Sequence, residues 1–472
     1  MNKYEQLASD IEEAIAAGTL RPGDRLPSVR ETVASRGVSP STVFEAYYLL
    51  EARGVVEARP RSGYFVRRSR DAAAEPHSPP PRAESTSVAV SDLVLEVLGS
   101  LRERDVVPMG SAFPSPWLFP LQRLARGGAA AMRQLAPDDL LEDLAAGNED
   151  LRRQLALRYV ANGVAVASEE IIVTSGAMEA LNLCLQVATR PGDVVAIESP
   201  TFYGCLQALE RLQLKAVEIE THPREGVQLE SLRQALARHP VKACWFMPNF
   251  QNPTGSLMSV DKKQALVDLL ARHEVPLIED DAYAELYFGA RRPPPAKAFD
   301  RKGLVMHCSS FSKCLAPGYR VGWTAAGRYA GAVERLKLMS TLSVAVPSQV
   351  AVLDYLRHGA FDKHLRGLRA ALAQRQQQAL QFVQQSFPAG TRVTRPEGGY
   401  LLWLELPAAV DALQLQRLAL ARNISVAPGH LFSTSPHFHN YIRLNYGHPA
   451  AERMQEAVRT LGQLVVELAA RR

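Results

Sequence analysis

The residues best suited to covalent chemistry lie in the run SSFSKCLAPGYRVGW, Ser309 to Trp323. Lys313 sits there among small hydroxyl residues, just after the apolar stretch Val305 to Cys308, and Arg320 follows seven residues later. A lysine that condenses with a carbonyl must first be a neutral amine. A desolvated, cation-rich pocket lowers its pKa and makes it a usable nucleophile. Ser310 and Arg320 add a hydroxyl and a guanidinium fork suited to a phosphate. Other runs carry matching groups. IEDDAYAEL places Asp280, and three residues later Tyr283, behind the apolar Leu277-Ile278. PNFQNPTG carries Asn252 in a turn shaped by Pro253 and Gly255. HNYIRLNYG holds Arg443 inside an apolar strand-like run, where a buried arginine wants a carboxylate partner. IIVTSGAMEAL passes from strand to helix at Gly176, Ala177 and Met178, where small residues let backbone N–H groups approach a phosphate.

The elements that position these residues follow from apolar patterning. From about residue 92 the chain alternates helices with short apolar strands: Ile171–Thr174, Val194–Glu198, Ala216–Ile219, Ala243–Met247, Pro276–Glu279, Val305–Cys308 and Arg320–Ala325. Such alternation predicts an α/β domain, residues 92–472, with a mainly parallel sheet between helices. Ligands of open α/β sheets gather beyond the carboxyl ends of the strands, and the runs above lie there. From about residue 345 long helical stretches lead to the strand candidates Gly398–Leu406 and Ile442–Asn445, a small C-terminal α+β subdomain.

Residues 1–66 read as a separate unit. Leu7, Ile11 and Ile15 recur at helical spacing before a stop at Gly18. Val29 and Val33 mark a second helix. Ser39-Pro40 opens a third, with Ser39 as N-cap and Val43, Ala46, Tyr47 and Leu50 facing inward. Two short strands follow around the turn Arg59–Gly63, which gives three helices and a hairpin. Residues 67–91, rich in Pro, Ser, Ala and charge, read as an exposed linker.

Composition bounds the function. At 472 residues the chain suits two or three domains, and 47% hydrophobic residues allow a sizeable core. The net charge of +5 neither requires nor excludes nucleic acid. The local balance says more: Arg53 to Arg70 holds six arginines and one glutamate, an electrostatic footprint for a phosphate backbone. Five cysteines without paired metal-ligand spacing point to a reduced, cytoplasmic protein with no metal site. The N-terminus reads as an acidic amphipathic helix and not a signal peptide. No stretch approaches the roughly 20 apolar residues of a membrane span.

The Lys313 run resembles the pyridoxal-phosphate lysine segment of fold-type I aminotransferases, and the order and spacing of the other runs extend the resemblance over most of residues 110–450. The resemblance implies pyridoxal 5'-phosphate bound as a Lys313 aldimine. It implies Asp280 beside the pyridine nitrogen, keeping the ring an electron sink. Asn252 and Tyr283 would lie near the phenolic oxygen, and Phe202 would stack on the ring with Tyr203 as the alternative. Gly176, Ala177, Met178, Ser310 and Arg320 would hold the phosphate, and Arg443 would hold the α-carboxylate of an amino acid. The family usually has a polar residue at Met178, so here the backbone must serve.

Residues 3–66 resemble the winged helix-turn-helix of GntR-type bacterial regulators. That implies double-stranded DNA as a partner, with Arg30 on phosphate, Ser39, Ser41 and Thr42 entering the major groove, and the wing tip Arg61, Ser62 and Gly63 reaching the minor groove. Some relatives have arginines where this chain has Pro40 and Phe44, which implies weaker guanine readout and more backbone contact. A GntR-like head on an aminotransferase-like body is the architecture of MocR-type regulators, which form homodimers. Three functions stay open: a regulator sensing an amine, an amino acid or the cofactor itself; an active aminotransferase with an accessory DNA-binding head; and a regulator that binds no cofactor. The full set Asn252, Asp280, Tyr283, Lys313 and Arg320 argues against the third.

Overall fold

The computed structural model of the chain describes residues 3–21, 23–52, 55–59, 62–66, 73–99, 105–138, 145–358 and 361–470. They form two compact units, with the larger beginning at Ala74.

The N-terminal unit contains α1 (Lys3–Ala16), α2 (Val29–Arg36), α3 (Pro40–Ala52) and the antiparallel pair β1 (Val56–Arg59) and β2 (Gly63–Val66). Its core is the set expected from spacing: Leu7, Ile11, Val43, Ala46, Tyr47 and Leu50 are buried together with Leu26, Val56 and Val66. The ends of α2 are fixed by local chemistry. Ser28 and Glu31 form a capping box, and Gly37 closes the helix in the left-handed conformation at φ 62°. The buried Tyr47 hydroxyl donates to the Pro27 carbonyl (2.7 Å) and therefore accepts from Thr32 (2.8 Å). That leaves no orphaned polar atom between α2 and α3 at this point.

The larger unit is built on a nine-stranded sheet. Its strands are β3 (Thr86–Ser87), β4 (Ile171–Thr174), β5 (Val194–Ser199), β6 (Lys215–His222), β7 (Gly226–Val227), β8 (Val241–Phe246), β9 (Leu277–Asp280), β10 (Val305–Ser310) and β11 (Gly322–Ala325). The order is β3-β6-β5-β8-β9-β10-β11-β4, with β7 paired to β6. The centre, β6-β5-β8-β9-β10, is parallel, and β11 alone reverses between β10 and β4. Strands β4, β5, β9 and β10 are buried along their whole length, as expected where helices cover both faces. A smaller sheet joins β12 (Arg392–Val393), β13 (Leu401–Glu405), β14 (Ala427–Pro428) and β15 (Tyr441–Asn445) in the order β12-β13-β15-β14.

The stretch 67–91, expected to be an exposed linker, differs over its second part. From Ala74 it runs along the larger unit. His77 bonds Glu405 at 2.8 Å, β3 pairs with β6, and Val88 and Val90 are buried. Its proline-rich composition rules out a helix but not an extended edge strand, and side chains of the sheet supply the partners.

Candidate functional site

Strand order determines which side chains meet. β4, β5, β8, β9 and β10 all end at one edge of the sheet, and the reversed β11 begins there. Residues just after the first five strands and just before β11 therefore converge, as in other open α/β sheets.

Lys313 lies in the turn after β10. Its amine donates to the Ala112 carbonyl (2.7 Å) and sits 3.6 Å over the Phe113 ring, with Tyr283 at 5.9 Å. Burial lowers its pKa to about 7, and the Arg443 and Arg320 guanidiniums add to the effect while Asp280 opposes it. Asp280 ends β9, is 2% exposed, and accepts one long bond from the Ala282 N–H (3.3 Å). Burial raises its carboxyl to about 7. Acid and amine are thus tuned toward each other's range. Burial likewise raises the phenol of Tyr283, which packs edge-on against Tyr400 (5.4 Å).

Arg443, on β15, is fully buried. It donates to Asn252 Oδ1 (2.8 Å) and to the Gly110 carbonyl (2.7 Å), and its Nε has no hydrogen-bond partner among the described residues. No carboxylate pairs with it among the described residues. Phe202 lies 4.8 Å from Tyr203, and Tyr203 lies 6.0 Å from the Arg443 guanidinium.

At the other end of the pocket Arg320 has a left-handed backbone (φ 52°), and donates to Ser312 Oγ (2.9 Å) and to the Ser175 carbonyl (2.9 Å). Gly176 makes this possible: it has φ 95°, and a Cβ there would come within 2.3 Å of the Arg320 Nη2. Ser310, expected with Arg320 to hold a phosphate, accepts from the Ser312 N–H (3.4 Å), and Ser312 is the hydroxyl that receives the guanidinium. Ala177 begins the helix Ala177–Ala188. The Met178 methyl lies near Gly204 and Phe202, so its side chain is an apolar neighbour of the ring and only its backbone is free to meet an anion.

Beneath Asp280 lies a network that the motifs did not announce. Asp281, 1% exposed, accepts from Asn249 Nδ2 (2.8 Å), Arg292 Nη2 (3.0 Å) and His307 Nε2 (2.9 Å). Burial alone would raise its pKa, but His307 and Arg292 outweigh that and hold it low. Lys263 donates to Asn249 (2.6 Å), and burial lowers its amine to about 8. Trp323 Nε1 donates to the Tyr159 hydroxyl (2.9 Å), which donates to His307 Nδ1 (2.6 Å). Indole only donates, so Tyr159 accepts from Trp323; with a neutral His307 giving its Nε2 proton to the Asp281 anion, Nδ1 is the acceptor and the Tyr159 proton points to it. Of the adjacent acids one is anchored as an anion and the other, Asp280, is left nearly bare toward the pocket.

In the N-terminal unit Arg30, Ser39, Ser41, Ser62 and Gly63 are exposed and Thr42 is half-buried. Arg61 lies outside the described residues. Ser39 caps α3 by accepting from the Thr42 N–H (3.3 Å), and its hydroxyl also meets those of Ser41 (2.9 Å) and Thr42 (2.8 Å). The outer face of α3 exposes two aromatic side chains that were not among the expected site residues: Phe44 (43% exposed) and Tyr48 (58% exposed), stacked with centroids 6.2 Å apart. Their i, i+4 spacing opposite the buried stripe was the available signal.

Comparison with known proteins agrees with both halves. Residues 143–461 match the family model "Aminotransferase class I and II", and residues 3–66 match "Bacterial regulatory proteins, gntR family". The uncharacterized HTH-type transcriptional regulator YdcR of Escherichia coli K12 is 48% identical over 99% of this chain and 100% of its own length. The chain is a MocR-type regulator of the GntR family. Its aminotransferase-like body resembles the multiple substrate aminotransferase of Thermococcus profundus (TM-score 0.75, 28% identity, 80% of this chain and 96% of that one). It also resembles LysN, the α-aminoadipate aminotransferase of Thermus thermophilus (TM-score 0.72, 29% identity, 81% and 100%). This MocR-type chain therefore joins a winged helix to a fold-type I domain.

Proposed function

We propose that this chain is a DNA-binding, cytoplasmic transcriptional regulator whose body holds pyridoxal 5'-phosphate on Lys313 and reads an amine or amino-acid effector there. One observation carries the reading. A Lys313 amine brought down to about 7, an Asp280 carboxyl brought up to about 7 and an Arg443 that has no carboxylate partner among the described residues form one buried cluster, in which Lys313 feels both other charges.

The donor set fits the cofactor. Lys313 offers the amine for its carbonyl, Asp280 a carboxylate for its ring nitrogen, and Asn252 with Tyr283 polar groups for its phenolic oxygen. Phe202 offers a face for the ring. Gly176, Ala177 and Met178 offer backbone N–H groups, and Ser310, Ser312 and Arg320 side chains, for its phosphate. The bound cofactor supplies an electron sink for bonds at the amine-bearing carbon. Asp280, brought to about 7 beside an anchored anion, can take up or give a proton at its carboxyl near neutral pH. Lys313, about half neutral near pH 7, can take up a proton at Nζ and return it. The orphaned Nε of Arg443 supports capture of an effector carboxylate, which would supply the missing charge.

In the head, α3 would enter the major groove and the β1–β2 hairpin would reach the minor groove, with Arg30 on phosphate. A homodimer would present two heads to two half-sites. Effector and DNA would be coupled to the extent that the effector binds two states of that dimer unequally. Arg443 also supports a second reading, an active aminotransferase, because the acid–base set is complete.

The test is a visible absorption spectrum of the purified full chain, with and without amino acids, alongside binding to DNA upstream of its own gene. The expected result is a lysine-bound cofactor band that Lys313→Ala abolishes, and a DNA affinity that changes with one class of amine. A band that persists in Lys313→Ala refutes the cofactor assignment. Steady turnover of an amino acid together with no DNA binding favours the aminotransferase.

A further inference from the structure

We infer that a second, cationic cavity on the body is a binding site for a small phosphoryl anion. It lies between the helix Glu149–Ala161, the stretch from Glu285 to Arg292, and the start of the helix Phe361–Ser386, with a volume of about 620 Å3. That is within the roughly 300–1,000 Å3 range of small-molecule sites. Its lining shares no residue with the proposed cofactor set.

Four guanidiniums line it, those of Arg158, Arg292, Arg366 and Arg369, against the carboxylates of Glu285 and Asp362. Arg158 is committed to Glu285 (3.6 Å) and Asp362 (3.3 Å). Arg292 places Nη2 on Asp281 (3.0 Å), and its buried Nε lies 3.3 Å from Glu285 without making a hydrogen bond. Arg369 lies 4.0 Å over the Tyr287 ring and, among the described residues, donates to the Glu285 carbonyl alone (3.3 Å). Among the described residues no carboxylate pairs with Arg366 or Arg369. These two are three residues apart on one helix, so their charges repel in the absence of an anion. Guanidinium forks arriving from three elements suit a phosphoryl group, whose oxygens point several ways, better than one planar carboxylate. Arg292 belongs both to the cavity and to the Asp281 network, so an anion there shares a cation with the acid pair of the main pocket.

The inference is independent of the cofactor reading and is tested on the full chain stripped of cofactor. Pyrophosphate is titrated by calorimetry at constant ionic strength, with citrate as a second probe. The expected result is saturable binding that the double variant Arg366→Gln/Arg369→Gln weakens roughly tenfold or more. Pyrophosphate also suits the emptied cradle around Arg320, so the titration is repeated on Arg320→Gln, in which the cavity's own share of the binding should remain. The thermal midpoint without anion checks folding. If the double variant fails to fold, the exposed Arg366→Gln alone serves. Three results overturn the inference: no saturable binding; loss with Arg320→Gln but not with the cavity variants; or citrate binding more tightly than pyrophosphate, which excludes the phosphoryl assignment.

Discussion

The reactivity of Lys313 should follow a pH profile set by its neighbours. With its pKa brought from 10.5 to about 7, about nine-tenths of the amine is neutral at about pH 8, against about three-thousandths for an ordinary lysine. Uptake of a carbonyl should therefore be faster by about two orders of magnitude than at a solvated lysine and should plateau above neutrality. Burial is the main cause, Arg443 the next, and Asp280 acts in the opposite sense. Arg443→Gln removes a cation that disfavours the ammonium, so the midpoint should rise by about one unit. Asp280→Asn removes an anion that favours it, so the midpoint should fall. The assay is the rate of capture of pyridoxal phosphate by the cofactor-free protein, trapped with borohydride and located by peptide mass. A midpoint near that of free lysine, or two variants moving the same way, would refute the electrostatic account.

Asp280 makes a stability prediction with its own sign. Its folded pKa of about 7 lies above the ordinary value of 3.8, so the folded state binds more protons across that interval. Its contribution is full below about pH 4 and lost as pH rises through about 7, on the order of 4 kcal/mol at most. Urea titrations of the cofactor-free protein at both ends of the window should show this slope diminished in Asp280→Asn, and an equal slope would be evidence against a raised carboxyl. Tyr159→Phe leaves the Trp323 N–H without an acceptor and His307 Nδ1 without a donor. It should cost about 1–3 kcal/mol by the same titration, and a cost within error of zero would mean the chain is not formed. In the head, Arg30→Ala should lower affinity on matched and scrambled DNA alike and reduce the salt slope by about one. Thr42→Ala and Tyr48→Ala should alter sequence preference instead, measured by fluorescence anisotropy across several salt concentrations. Identical losses for all three variants on both DNAs would misplace the recognition helix.

Much of this was legible because it is local. The inward stripe of α3 follows from 3.6-residue spacing, and each expected strand of the large sheet is present, β4 with the expected bounds and the others with ends shifted by a few residues at most. Motif spacing likewise singled out Lys313, Asp280 and Arg443, because each follows or lies in an apolar strand. What stayed hidden depends on distant partners. Tyr159 and His307 are 148 residues apart, and no local pattern marks either one. Ser310 and Ser312 are alternatives that only the turn of the chain can separate. The edge strand β3 is two residues long and rests on β6, more than a hundred residues away, so a proline-rich stretch gave no sign of it.

The reversal of β11 between β10 and β4 has a consequence for the spacing of the side chains around Lys313. Because β11 runs back beside β10, Lys313 and Arg320 belong to one short connection between two paired strands. The span between the Lys313 amine and the Arg320 guanidinium is thus a local ruler, fixed by seven residues and their flanking hydrogen bonds. Arg443 belongs to a different sheet, β12-β13-β15-β14. On the proposed function, the grip on a phosphate and the reach toward a carboxylate would therefore sit on separate sheets. A tilt of the smaller sheet would then move Arg443 and leave the spacing of amine and guanidinium as it was.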